Sequence, residues 1–196
     1  MIAEKELETV FVDSGALLKG HFALSSGLHS DQYFQCALLL SNTDMAERLG
    51  RSLAESIPSE WDTPDTVVGP ALGGVVIGHE VARALKKPSL FTERKDGSMQ
   101  LRRGFTVRPG EKILVVEDVI TTGKSSSEVI ALLKSMGAEI IGLMSIVLRA
   151  SEELQLGVPI FSLARLPAAG YAPDACPLCA KGEPIIKPGS RPGVKS

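Results

Sequence analysis

The chain has 196 residues, 44% of them hydrophobic and 22% charged, which is enough apolar material for one full core and too little length for a second independent domain. Lysine and arginine total 21 against 23 acids, a formal charge of −2, so the electrostatic basis for a nucleic-acid partner is missing and the ligand is expected to be small. Three cysteines do not make a disulfide framework, the opening Met1 to Leu7 is charged and lacks an apolar signal core, and the mainly apolar stretch Ile140 to Leu148 is far too short to span a bilayer; a soluble, cytoplasmic protein without membrane contacts is expected.

Residues Glu4 to Leu18 place Leu7, Val10, Phe11, Ala16, Leu17 and Leu18 at helical intervals, with Gly20 as the stop. From 20 to 36, aromatic residues alternate with small polar ones, which suits short antiparallel strands. Composition alone reads Tyr33 and Phe34 there as core aromatics. Ser41 and Asp44 resemble a capping box, followed by Met45, Leu49, Leu53 and Ile57 on one helical stripe that Pro58 ends. Thr66-Val67-Val68-Gly69 is a short buried strand. It runs into the turn Pro70-Ala71-Leu72-Gly73-Gly74 and a helix from Val75 to about Leu85. Such a turn brings backbone N–H groups close to an anion, or simply makes a tight connection. Pro88 to Thr92 is the next strand, and residues 93–105 surround a Gly-Ser centre with four cations, the pattern of a solvated hairpin.

The densest chemistry lies in Ile113 to Ser126, I-L-V-V-E-D-V-I-T-T-G-K-S-S. A β-branched run typical of a buried parallel strand is closed by Glu117 and Asp118, and Thr121, Thr122, Gly123, Lys124 and Ser125 then precede a helix. Unpaired N–H groups and the positive end of the helix dipole make that point suit a phosphate. The adjacent carboxylates are good acceptors for sugar hydroxyls, so the pairing suggests a phosphorylated ribose. A nucleoside-triphosphate loop is rejected because its first glycine would fall on Asp118; a strand end followed by an ordinary helix cap is the plainer alternative. Gly137 stops the helix before the buried strand Ile140 to Leu148, and Arg149 follows at a strand end, as a ligand contact or a surface residue. Val158 to Leu163 is a last strand. The tail from Pro167 to Ser196 carries Cys176-Pro177-Leu178-Cys179; a structural zinc needs four ligands and the chain offers one C-x-x-C pair, so a structural or packing role is favoured, with a zinc or intersubunit site as the lesser alternative.

Residues Leu114 to Ser126 resemble the signature of type I phosphoribosyltransferases. The segment F-x-L-x-S-G-x-x-S-x-x-Y-F resembles the hood of the orotate-specific members. The resemblance covers nearly the whole chain and implies a mainly parallel, twisted α/β sheet flanked by helices, with a small hood at 20–36 and a mobile catalytic loop at 93–105, all in one domain, 1–196. It implies transfer of the phosphoribosyl group of 5-phosphoribosyl 1-diphosphate to orotate, with Mg²⁺ as cofactor and no metal held by protein ligands alone. Glu117 and Asp118 would bind the ribose 2- and 3-hydroxyls, Asp118 counting as catalytic. Thr121 to Ser125 would wrap the 5-phosphate, and Ala71 and Gly73 would lie on the pyrophosphate loop. Arg94 and Lys95 would close over the diphosphate as catalytic cations, in a homodimer whose loops cross the interface. Tyr33, Phe34, Thr121 and Arg149 would hold orotate, and His21 and His29 read as surface or hood residues rather than catalysts. Three positions depart from the pattern. Ser25 and Ser98 stand where relatives often carry lysine and Gly73 where some do, with Lys19 for the first and Arg102 or Arg103 for Ser98 as possible substitutes. A purine phosphoribosyltransferase, or a regulator sensing phosphoribosyl diphosphate on the same fold, are the rival readings.

Overall fold

The computed structural model describes residues 2–24, 27–150, 152–167 and 169–187; Ser25 and the tail beyond 187 lie outside them. In chain order the elements are α1 (Glu4–Asp13), β1 (Leu17–Ala23), β2 (His29–Phe34), α2 (Cys36–Leu40), α3 (Thr43–Glu55), β3 (Thr66–Pro70), α4 (Gly73–Leu85), β4 (Ser89–Lys95), β5 (Ser98–Leu101), β6 (Lys112–Ile120), α5 (Lys124–Ser135), β7 (Glu139–Leu148), β8 (Ile160–Arg165) and α6 (Pro177–Ala180).

Side chains of a strand point alternately to its two faces, and a parallel strand covered on both sides must be apolar on both. In β6, Leu114 and Val116 enter one core with α1 to α4, while Ile113 and Val115 enter a second with Val129, Ile130 and Leu133 of α5. The six-stranded sheet has the order β5-β4-β3-β6-β7-β8. All neighbours are parallel except β4 and β5, which form a hairpin. The expected α/β architecture is therefore found, with helices on both faces.

The chain ends the first helix earlier than its apolar spacing suggests. Ser14 and a left-handed Gly15 (φ 66°) close α1 after Asp13, and Leu17 and Leu18 pair with Phe34 and Tyr33 in a separate two-stranded sheet. Strand pairing outcompetes helix periodicity because it satisfies this segment's backbone. The third helix is capped by Asn42, whose Oδ1 accepts from the Met45 N–H at 3.0 Å, and not by Ser41, whose hydroxyl turns back to the Leu38 carbonyl at 2.7 Å as α2 ends there.

The β1–β2 hood is completed from the far end of the chain. The His29 and Tyr171 backbones exchange two hydrogen bonds of 2.8 Å; the Ile186 N–H donates to His21 O at 2.8 Å and the Ala23 N–H to Ile186 O at 2.9 Å. His21 and His29 are thereby buried, 2% and 7% exposed, and are not the surface positions that the sequence leaves open.

Candidate functional site

The carboxyl end of β6 opens into a cavity of about 460 Å³, the place where open α/β sheets gather ligands. Strand alternation carries Glu117 and Asp118 to opposite sides of the sheet. Glu117, 7% exposed, lies under α5 and accepts from the Ser126 hydroxyl at 3.3 Å. Asp118 lies under the start of α4, where a Cβ built on Gly73 would stand 2.4 Å from its Oδ1. Any side chain at Gly73 would therefore have to displace the Asp118 carboxylate. Burial, and for Glu117 also the Asp118 charge, pushes both carboxyls above their ordinary range. Neither has an ion-pair partner among the described residues. Beyond the Ser126 hydroxyl, such a pair can accept further hydroxyl donors and a cation.

Across the cavity, Thr121 to Ser125 form a turn into the N-terminus of α5. Gly123 is left-handed (φ 71°), and an added Cβ would meet Leu156 at 3.0 Å, so position and conformation both select glycine. The Lys124 N–H points back to Thr122 Oγ1 at 3.4 Å, and the first-turn N–H groups of the helix face a cavity lined with hydroxyls. Ala71 lines the same space, although its own N–H is taken by the Thr92 carbonyl at 2.7 Å.

The basic loop is an exposed hairpin whose alternation separates its two cations. Arg94 lines the cavity, donates to the Gly97 carbonyl at 2.6 Å and pairs with Glu128 of α5. Lys95 is exposed, is not among the cavity-lining residues, and shares its face of β4 with Glu93. Glu93 engages both possible substitutes for the lysine missing at Ser98, Arg103 at 2.6 Å and Arg102 at 3.3 Å.

A second cavity, about 320 Å³, meets the first at Thr121 and Thr122 and is lined by Leu24, Leu28, Arg149 and Gly170. Arg149 is buried, donates to Gln32 O at 3.2 Å and Ser30 Oγ at 3.4 Å, and leaves Nε as the one buried side-chain polar atom without a partner among the described residues. Burial lowers the Arg149 pKa, with Asp31 and Tyr33 opposing. Its guanidinium stacks 5.0 Å over the Phe34 ring, which meets Phe11 edge-on at 5.0 Å. Phe34 is thus a core residue and the support beneath Arg149; Tyr33 is half-buried, 5.8 Å from the Phe22 ring, and neither lines the two cavities. Ser25 lies outside the described residues, and its proposed substitute Lys19 is exposed on β1.

Residues 39–159 match the sequence model of the phosphoribosyl transferase domain. The chain is 48% identical over 186 residues to an orotate phosphoribosyltransferase of Carboxydothermus hydrogenoformans, covering 95% of this chain and 97% of that one. It is 49% identical over 189 residues to the orotate phosphoribosyltransferase of Thermotoga maritima, covering 96% and 100%. The crystal structure of orotate phosphoribosyltransferase from Aeropyrum pernix superposes with a TM-score of 0.67 at 28% identity, covering 82% of this chain and 93% of that one.

Proposed function

The chain belongs to the phosphoribosyl transferase family, in its orotate phosphoribosyltransferase branch, and from that premise we propose that the joined cavities transfer the phosphoribosyl group of 5-phosphoribosyl 1-diphosphate to orotate. The products are orotidine 5-phosphate and pyrophosphate, a step of pyrimidine synthesis. The observation that carries the reading is the junction at Thr121 and Thr122, where a cavity suited to a phosphorylated sugar meets one walled by a buried arginine.

The 5-phosphate sits on the Thr121 to Ser125 turn, and Glu117 and Asp118 accept from the ribose 2- and 3-hydroxyls. Both ends of the ribose are then fixed with its C1 facing the second cavity. Arg149 attracts the orotate carboxylate and turns the ring nitrogen toward C1. As the bond from C1 to the diphosphate oxygen breaks, its electron pair leaves with the diphosphate, while the ring nitrogen forms the new bond to C1 and its proton passes to solvent. Positive charge grows on the ribose beside the two carboxylates, and Arg94 faces the leaving group. No covalent nucleophile is required.

Mg²⁺ is the cofactor this reading implies, and the donor set fits it. Asp118 and Glu117 are hard oxygen ligands without a cationic partner, and Mg²⁺ is commonly held by one or two carboxylates together with substrate phosphates. When bound it neutralises the leaving diphosphate. Lys95 faces away from its own cavity, which supports a homodimer in which residues 93–105 form a mobile loop that brings Lys95 to the neighbouring subunit; a mixed dimer of Lys95→Ala and Asp118→Asn chains should then recover activity at one site. No described helix is long and apolar enough to cross a membrane, and we place the reaction in the cytoplasm.

The direct test is pyrophosphate release with phosphoribosyl diphosphate and Mg²⁺ across orotate, uracil, adenine, guanine and hypoxanthine. Release with orotate alone is expected. Release only with a purine would overturn the base assignment, and tight phosphoribosyl diphosphate binding without turnover would favour the sensor.

A further inference from the structure

The hood contains a second concentration of chemistry that the transfer reaction does not use. The side chains of His21 on β1, His29 on β2, and Cys176 and Cys179 at the start of α6 converge so that one ligand atom of each lies within 4.8 Å of all the others. His21 Nε2 is 3.0 Å from His29 Nδ1, 3.5 Å from Cys176 Sγ and 3.7 Å from Cys179 Sγ, while Cys179 Sγ is 3.3 Å from His29 Nδ1. A tetrahedral zinc with bonds of about 2.05 Å to nitrogen and 2.3 Å to sulfur separates its ligands by about 3.3 Å between nitrogens and about 3.5 Å between nitrogen and sulfur. Four of the six pairs, at 3.0 to 3.7 Å, are close to those spacings, and the other two stay within 4.8 Å, so one small ion fits between the four atoms.

The surroundings agree with it. The other ring nitrogen of His21, Nδ1, lies 2.8 Å from the Glu183 carbonyl. A carbonyl only accepts, so Nδ1 carries the proton and Nε2 turns a lone pair toward the cluster, the arrangement that orients metal-binding histidines. Three of the four residues are buried, and no aspartate or glutamate belongs to the cluster. Two thiols and two imidazoles with no open oxygen ligand select zinc over magnesium or calcium and describe a closed structural site rather than a catalytic one.

We infer that His21, His29, Cys176 and Cys179 bind one structural zinc ion per chain, which staples the C-terminal segment to the β1–β2 hairpin. A spacing of 155 residues between His21 and Cys176 makes this a long-range crosslink. The hairpin and its backbone bridges to Tyr171 and Ile186 roof the second cavity through Leu24, Leu28 and Gly170, so the ion fixes the cover of that cavity without touching its contents.

The test uses the untagged full chain, purified under reductant and reconstituted with Zn²⁺, with metal content measured after gel filtration. One equivalent of zinc is expected, and Co²⁺ in its place should give the intense visible bands of tetrahedral coordination and a thiolate charge-transfer band. Cys179→Ser and His29→Gln should lose the ion, while Cys36→Ser, at the buried cysteine outside the cluster, should keep it. Because the variants could fail to fold, the unmodified chain supplies an independent readout. Removing zinc should speed amide exchange at Ala23, His29, Tyr171 and Ile186, leave β6 unchanged, and raise the rate at which Cys179 reacts with a thiol reagent by at least about tenfold. A reduced, folded chain that takes up no stoichiometric zinc, or that binds Co²⁺ without thiolate bands, would overturn the assignment.

Discussion

The carboxyl edge of β6 and the hood are built on opposite plans. At β6 a single stretch of fourteen residues, Ile113 to Ser126, supplies the carboxylates, the hydroxyl-rich turn and the helix start, and apolar side chains on both faces of the strand hold it. The hood is closed by bridges from a distant part of the chain, and beside Phe22 and Phe34 it buries the polar groups His21, His29 and Ser30. The first region is rigid because hydrophobic burial surrounds it, the second because particular polar contacts close it. Damage to the first should spread through the molecule, and damage to the second should stay local.

The largest effect is expected where the β6 plan is tightest. Asp118→Asn should lower kcat/KM by about 10²–10³-fold, as for the loss of one electrostatic partner of a developing charge, and Gly73→Ala should lower it too by driving a Cβ into the Asp118 carboxylate. Steady-state kinetics check both, and an unchanged rate in either would break the claim that this approach is functional. Next comes stability. Leu114 is fully buried, and Leu114→Ala should cost about 2–5 kcal/mol in urea unfolding, with a loss of exchange protection throughout the sheet. Arg149→Gln should raise the KM for orotate by about 10–100-fold, the worth of a charge-assisted hydrogen bond, with little change in the KM for phosphoribosyl diphosphate. The smallest effect belongs to the Asn42 cap, where Asn42→Ala should remove about 1 kcal/mol.

A pH measurement sharpens the same contrast. The Glu117 carboxyl titrates above its unfolded range because burial and Asp118 oppose its charge. Folded protein therefore binds more protons than unfolded protein between the two pKa values, and stability falls as pH rises through that window. Glu117→Gln should raise the urea midpoint of the ligand-free protein at neutral pH, leave it nearly unchanged below the ordinary glutamate pKa, and lower activity. The β6 edge would then be a place where function is held against stability.

The two plans also decide what could be read from the residues in order. Strand, carboxylates, turn and helix at 113–135 follow local rules, so the sheet, the cavity and Thr121 to Ser125 were legible. The apolar period of 4–18 was misleading because Leu17 and Leu18 obey a strand partner sixteen or so residues away. Phe34 reads correctly as a core aromatic from composition, and its service to the site runs through Arg149, a contact that no spacing rule announces. The C-x-x-C pair counted only two ligands, since two single histidines carry no local signal. A histidine on each strand of one hairpin, beside a distant C-x-x-C, was the available clue.

The hood also sets a timetable for the growing chain. Chains emerge from the ribosome amino end first, so residues 17–34 wait for Tyr171 and Ile186, whereas the β3, β6 and β7 segments that frame the β6 edge are complete by Leu148. A nascent molecule acquires the 121–125 turn before it acquires the roof of the second cavity, and a message truncated shortly after β8 would yield the sheet with that turn and leave the hairpin unclosed.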